Sequence, residues 1–458
     1  MKSKRLDRRA FLRLGTLTAA GAALAACAPP KPQIVERTVE VTVPAQVQEK
    51  QVVVTATPAP PAQVTLRAAM WDSAEVEPME TEILKAFYEQ YPHITVNIEF
   101  NPEAYDDKLI TGLAAGNAPD VFLWWNYPKL IALGGLEDLT PYVEGPRGVD
   151  LNMYYEQVLS YARVGRFLSG LPKDFTPRAY FYNKKLFDDA GVPYPTNDWT
   201  WDDLVTIAAQ LTKGEGADKR YGFYNYIGSY PLQGYVWSNG GDFISPDGTK
   251  ASGYLDSEAT IEAVEWYVDL HLRHHLSPTT MEEGTLGGAT EMFINNKLAI
   301  FDNGRWPQSQ FKSVEGLEFG TVLPPKCTYT GNLVTVIHLA CWCMNPASPY
   351  KFNEAWELLK WEAGPLAHKV RTEAGWAIPA IPSVVEELGL LSDPIDRTWF
   401  EAVPHATVRP CFTRSAVYWQ ADEDLTVALE QAFLGKKPVA QALAEAVPLM
   451  DSKLGVLA

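Results

Sequence analysis

The sequence predicts an α/β fold in which strands and helices alternate and helices cover both faces of mainly parallel sheets. Three observations lead there. Val64, Leu66, Ala68 and Met70 alternate with other residues as in a half-buried strand. A helical stripe follows at Met79, Ile83, Leu84, Phe87 and Tyr91, and Pro92 stops it. Alternation then returns at Ile94, Val96, Ile98 and Phe100. Such alternation of strand and helix gives layered α/β units, and 458 residues suffice for two or three cores.

The pattern continues along the chain. Tyr105, Leu109, Ile110 and Leu113 mark a second helix, capped by Gly116-Asn117. Asp120 to Trp124 reads as a short buried strand. Ligands of such sheets bind at the carboxyl ends of strands, and Trp71, Trp124 and Trp125 all sit at that edge. Helices are expected over 199–211, 258–276, 353–364 and 422–435, and a strand over 298–302. No internal repeat of solenoid length is present.

The N-terminus reads as an address. Residues 1–26 carry six cations and one anion, so the remainder holds a net charge of −22 against −17 for the whole chain. Basic residues precede an apolar run from Leu14 to Ala26, too short to span a bilayer. Arg8-Arg9 resembles a twin-arginine export signal, and Leu24-Ala25-Ala26-Cys27 a lipoprotein box with Cys27 as the lipidated residue. Residues 28–63 contain seven Pro, eight Val and no aromatic residue. They are expected to form an extended tether on the order of 110 Å long. The acidic body disfavours nucleic acid and anionic lipid surfaces as partners.

Motifs of catalysis are scarce. There is no Gly-x-Ser-x-Gly elbow, phosphate loop or dinucleotide fingerprint, and His271, His274 and His275 lack zinc-protease spacing. No metal or cofactor is expected. A glycan-degrading enzyme would need two carboxylates straddling a cleft. With 56 acidic residues in the chain, their number alone does not exclude such a pair. Cys327, Cys341, Cys343 and Cys411 leave three readings: a metal site at Cys341-Trp342-Cys343, which lacks a Cys-x-x-Cys pair or a His at ligand spacing, a disulfide from Cys327 to Cys341 or Cys343, which an exported location permits, or buried free thiols.

Several segments occur in a recognisable order: Ala115-Gly116-Asn117-Ala118-Pro119-Asp120-Val121, Gly134 to Thr140, Gly170-Leu171-Pro172, Tyr182 to Phe187, Ala190 to Pro193 and Thr200 to Leu204, then Asn239-Gly240-Gly241, Phe293 to Trp306 and Gly375 to Pro379. This order resembles the extracellular solute-binding proteins of carbohydrate ABC importers, the family of maltose-binding protein. The resemblance implies a two-lobed, periplasmic-binding-protein-like (type II) fold with a hinge and a ligand cleft between the lobes. Lobe 1 would take 64–174 and 336–388, and lobe 2 would take 178–330 and 396–458. The hinge would lie near 172–177, 331–336 and 389–395. It also implies a non-enzymatic, monomeric receptor that delivers a sugar or oligosaccharide to ABC permease subunits. The same scaffold binding a glycerol phosphodiester or a polyamine is the alternative.

A pyranose presents C–H faces to aromatic rings and hydroxyls to carboxylates, amides and Arg. By motif position Trp124 and Trp306 are the expected platforms, with Tyr418 and Trp419 a third and Trp376 on the cleft wall. Trp71, Trp125, Tyr230 and Trp237 are further aromatic candidates; Asp72, Asp174, Arg178, Asp302 and Arg305 are the polar ones. Trp201, Trp266, Trp356 and Trp361 lie mid-helix and are expected in the core.

Overall fold

A computed structural model describes residues 61–455. The export segment, Cys27 and nearly all of the tether lie outside the described residues. Eleven strands are present among them: β1 (Val64–Met70), β2 (Ile94–Phe100), β3 (Val121–Trp124), β4 (Arg163–Val164), β5 (Phe167–Leu168), β6 (Leu171–Pro177), β7 (Ala179–Asn183), β8 (Tyr221–Phe223), β9 (Leu298–Asn303), β10 (Phe319–Val322) and β11 (Ile337–Met344).

They form a five-stranded sheet in the order β2-β1-β3-β11-β6, a four-stranded sheet in the order β10-β7-β9-β8, and the hairpin β4-β5. The expectation of mainly parallel sheets is corrected. β1 runs parallel to β2 and β3, and β8 runs parallel to β9. β11 is antiparallel to both β3 and β6, and β7 to both β9 and β10. The cause is the wiring. β6 ends at Pro177 in the first sheet and β7 begins at Ala179 in the second, and β11 returns to the first sheet from the far side. A strand that arrives by such a crossing need not follow the right-handed βαβ path that makes neighbours parallel.

Local chemistry sets the helix ends. Asn183 accepts from the Leu186 N–H to start helix Lys184–Ala190, and Gly191 closes it at φ 66°. Thr200 and Asp203 form a reciprocal capping box on helix Trp201–Leu211. Asn183, Gly191 and Thr200-x-x-Asp203 of the motif segments thus act as helix caps. Helix Glu258–Leu272 is shorter than expected. His275 adopts φ 54°, and the Leu276 N–H turns back to the Leu270 carbonyl. A helix at Val439–Leu454, with Pro448 in its interior, was not anticipated. Its buried stripe of Val439, Leu443, Val447, Met450 and Leu454 holds it against the preceding helix, Tyr418–Phe433.

The cores are strongly aromatic. Trp201 stacks on Trp266 at 4.3 Å, and Phe181 packs among Phe301, Phe311 and Trp399. Cys327, Cys341, Cys343 and Cys411 are buried free thiols, so the disulfide reading is corrected. Cys341 and Cys343 lie on β11 inside the first sheet, whereas Cys327 bonds to Asn239 beside the second core.

Candidate functional site

Both sheets send residues into one cleft of about 580 Å³. From the first sheet, the end of β1 delivers Trp71 and Asp72, and the end of β3 delivers Trp125. β6 contributes Lys173 to Thr176, and β11 contributes His338 to Ala340. The turn after helix Pro365–Glu373 adds Trp376. From the second sheet, the chain leaving β9 brings Arg305 and Trp306. Helix Ser229–Ser238 brings Tyr230, and Phe412 and Trp419 come from the entry to helix Tyr418–Phe433.

The rings fall into groups. Trp125 meets Phe412 at 5.3 Å and Trp419 at 5.7 Å, so aromatics from both sides of the cleft touch. His338 lies between Tyr230 and Trp306. Trp71 stands edge-on to Tyr105. Trp306 and Trp376 remain 56% and 47% exposed. Indoles this open on a cleft wall offer apolar faces that a ligand can cover.

The charges in the cleft are balanced locally. Lys173 Nζ lies 3.0 Å from Asp72 and 3.5 Å from Asp174. Burial opposes the Lys173 charge, but Asp174 and Asp72 outweigh it and hold the ammonium above its ordinary range. Burial raises the Asp174 carboxyl, against the pull of Lys173. Arg305 makes two bonds to one oxygen of Asp396, at 3.0 and 3.1 Å. Its backbone N–H donates to Thr176 Oγ1 on β6 at 2.9 Å, tying the β9 loop to the first sheet.

Nine expected site residues therefore line the cleft: Trp71, Asp72, Trp125, Asp174, Tyr230, Arg305, Trp306, Trp376 and Trp419. Five stand elsewhere. Trp124 is fully buried and its indole N–H donates to the Asn126 carbonyl. Strand side chains alternate, so Trp125, one residue on, faces the cleft instead. Tyr418 points into the core while Trp419, about 100° further round the helix, faces the cleft. Trp237 is buried. Arg178 and Asp302 pair at 2.9 Å and border a separate small cavity.

Lys173, Phe175, Thr176, Ser309, His338 and Phe412 line the cleft without having been anticipated. His338 had a readable signal, as a polar residue in the apolar run of β11. Lys173 sits directly beside the anticipated Asp174. Nothing in the sequence singles out Phe412.

The profile of the bacterial extracellular solute-binding protein family matches residues 72–329, more than half of the chain. The chain belongs to that family. Members of the family are binding proteins. This solute-binding protein is 23% identical over 372 residues to the maltotriose-binding protein of Pyrococcus abyssi, covering 77% of this chain and 75% of that one. It is 28% identical over 204 residues to the arabinooligosaccharide-binding protein of Halalkalibacterium halodurans, covering 42% of each.

Among solved structures, an ABC substrate-binding protein of Listeria monocytogenes in complex with cycloalternan superposes with a TM-score of 0.75 at 22% identity. It covers 86% of this chain and 99% of that one. The sugar-binding protein MalE of Xanthomonas citri gives a TM-score of 0.72 at 21% identity, covering 85% and 97%. These likenesses establish the two-lobed type II fold. Among the described residues of this family member, no helix is long and apolar enough to cross a membrane, and no cluster of His, Cys, Asp and Glu could hold a metal ion.

Proposed function

We propose that the chain is the extracytoplasmic receptor of an ABC importer. It captures a sugar or oligosaccharide by hinged closure with aromatic stacking and passes it unaltered to permease subunits. One observation carries this reading. The cleft presents five tryptophans, Trp71, Trp125, Trp306, Trp376 and Trp419, around cations that already face carboxylates. That combination suits a neutral hydroxylated ring with C–H faces. The sugar ligands named for several relatives point the same way.

Two other readings are less well supported. A phosphodiester would need unpaired cations, but Lys173 is shared by two aspartates and Arg305 is held by Asp396. A glycan-cleaving enzyme would need carboxylates on opposite sides of the ligand. Asp72 and Asp174 instead share one ammonium on the first-sheet side.

The lobes would comprise 64–174 with 336–388, and 178–330 with 396–458, hinged near 172–177, 331–336 and 389–395. The step from β6 to β7 within two residues supports the first hinge segment. Export on the 1–26 signal, a lipid on Cys27 and the 27–63 tether would hold a monomeric receptor at the outer face of the membrane.

Titration calorimetry with maltotriose, an arabino-oligosaccharide and cycloalternan, with the sugars analysed afterwards, tests the reading. Saturable binding with the sugar recovered intact is expected. Release of reducing ends, or affinity for a glycerol phosphodiester and none for sugars, would replace it.

A further inference from the structure

His338 interrupts the apolar strand β11 on the cleft side. Its ring centroid lies 4.6 Å from Tyr230 and 4.7 Å from Trp306, tilted 55° to the first and 75° to the second. Its Nε2 is sealed from solvent and has no hydrogen-bond partner among the described residues. A buried polar atom without a partner is destabilising, and such atoms call for an explanation.

Burial, helped by the charge of Arg178, pushes the imidazole strongly toward its neutral form. A neutral imidazole donates from one nitrogen and accepts at the other. A sugar hydroxyl also does both, so the two match whichever tautomer is present. Trp419 Nε1, on another wall of the same cleft, is a second buried donor with no partner. The indole nitrogens of Trp237 and Trp342 are also unpartnered, but neither residue lines the cleft, so a ligand there brings them nothing. Trp306 stands edge-on against His338 and is more than half exposed, so it is the ring that a hydroxyl reaching Nε2 would have to move.

We propose that His338 is a specificity-determining ligand contact, exchanging a hydrogen bond through Nε2 with a hydroxyl of an uncharged saccharide that displaces the edge of Trp306. The assignment rests on the sugar reading above. It also assigns the unpartnered nitrogen a role: the stability lost in the empty cleft is regained when the hydroxyl arrives. A site built to bond a hydroxyl rejects analogues that lack it far more strongly than an apolar pocket can.

The test compares wild type with His338→Phe, His338→Leu and His338→Gln by calorimetry against maltotriose, an arabino-oligosaccharide and cycloalternan, with thermal melts of the empty proteins. For whichever sugar the wild type binds, the Phe and Leu variants are expected to bind at least about tenfold more weakly. The empty Phe variant should melt at the wild-type temperature or above it, because an unpartnered nitrogen has gone. The Gln variant keeps a donor and an acceptor and should bind within a few-fold of wild type. Having two apolar variants keeps the test in force if one fails to fold. Wild-type affinity in the Phe or Leu variant, or equal losses in Phe, Leu and Gln, would overturn the His338 assignment alone. A wild type that binds none of the three sugars would overturn the sugar reading and this assignment together.

Discussion

Lys173 Nζ stands 3.0 Å from a carboxylate oxygen of Asp72, and the two side chains are only 2% and 8% exposed. Removing one member of such a pair strands the other charge in a poorly solvated place. Lys173→Met is expected to cost about 3–5 kcal/mol in urea unfolding. Adding Asp72→Asn to Lys173→Met should restore part of that, giving a clear coupling energy in a double-mutant cycle. Additive losses would show that the two side chains do not depend on each other.

Trp376 and Trp201 should behave in opposite ways. Trp201 is buried on Trp266, so Trp201→Ala is expected to cost roughly 3–5 kcal/mol of stability. Trp376 is half exposed in the cleft, so Trp376→Ala should leave the melting temperature nearly unchanged and weaken sugar binding about tenfold. Calorimetry and melts on both variants check the contrast.

Gly304 has no side chain to offer a ligand, yet its substitution should impair binding. A methyl group there would come within 2.6 Å of the Trp306 ring and 2.8 Å of Thr176 Cγ2. Gly304→Ala is therefore expected to displace Trp306 and weaken binding by about tenfold, with a stability loss near 1–2 kcal/mol from overpacking. Unchanged affinity would show that the position of Trp306 does not matter to the ligand.

Glu362 provides a test in pH. Burial, reinforced by Glu80 and opposed by Arg371, pushes its carboxyl up to about 7. Arg371 is itself fully buried between Glu80 and Glu362. An unfolded glutamate titrates near about 4.3. Between those values the folded protein holds a proton that the unfolded chain has released. The stabilisation is thus complete below about 4.3 and is lost as pH rises through about 7. The melting temperature of the wild type should fall from pH 5 to pH 8 relative to that of Glu362→Gln. Parallel curves would mean that Glu362 is ionised throughout.

The strands and helices were readable where apolar periodicity was strong, as at strand Val64–Met70 and at the helix expected over 199–211, which Thr200 caps at Trp201–Leu211. Strand direction was not, because period-two alternation carries no sign for parallel or antiparallel, and β11 crosses over from the other sheet. At the cleft, motif position brought the right neighbourhood but not the right face. Trp124 was favoured over Trp125, and Tyr418 and Trp419 were not told apart, yet one step along a strand or helix exchanges core for cleft. Arg178 and Asp302 were read as separate polar candidates, and their mutual pairing is a long-range contact that no local pattern encodes. His338 was visible as an anomaly in its strand, but only the surrounding rings and the unpartnered nitrogen give it meaning.

In the first sheet, β11 occupies the place between β3 and β6, although it is synthesised long after both. A ribosome that has reached Pro177 has made the two flanking partners of a strand that does not yet exist. Until Ile337 to Met344 emerges, both flanks keep unsatisfied backbone edges bordered by apolar side chains, a state open to wrong pairings. Shielding those edges until that late segment appears would keep the nascent chain from pairing wrongly. A secretion route for finished proteins would receive it only after this closure. A route that threads slack polypeptide would have to deliver about three quarters of its length before β3 and β6 find the strand between them.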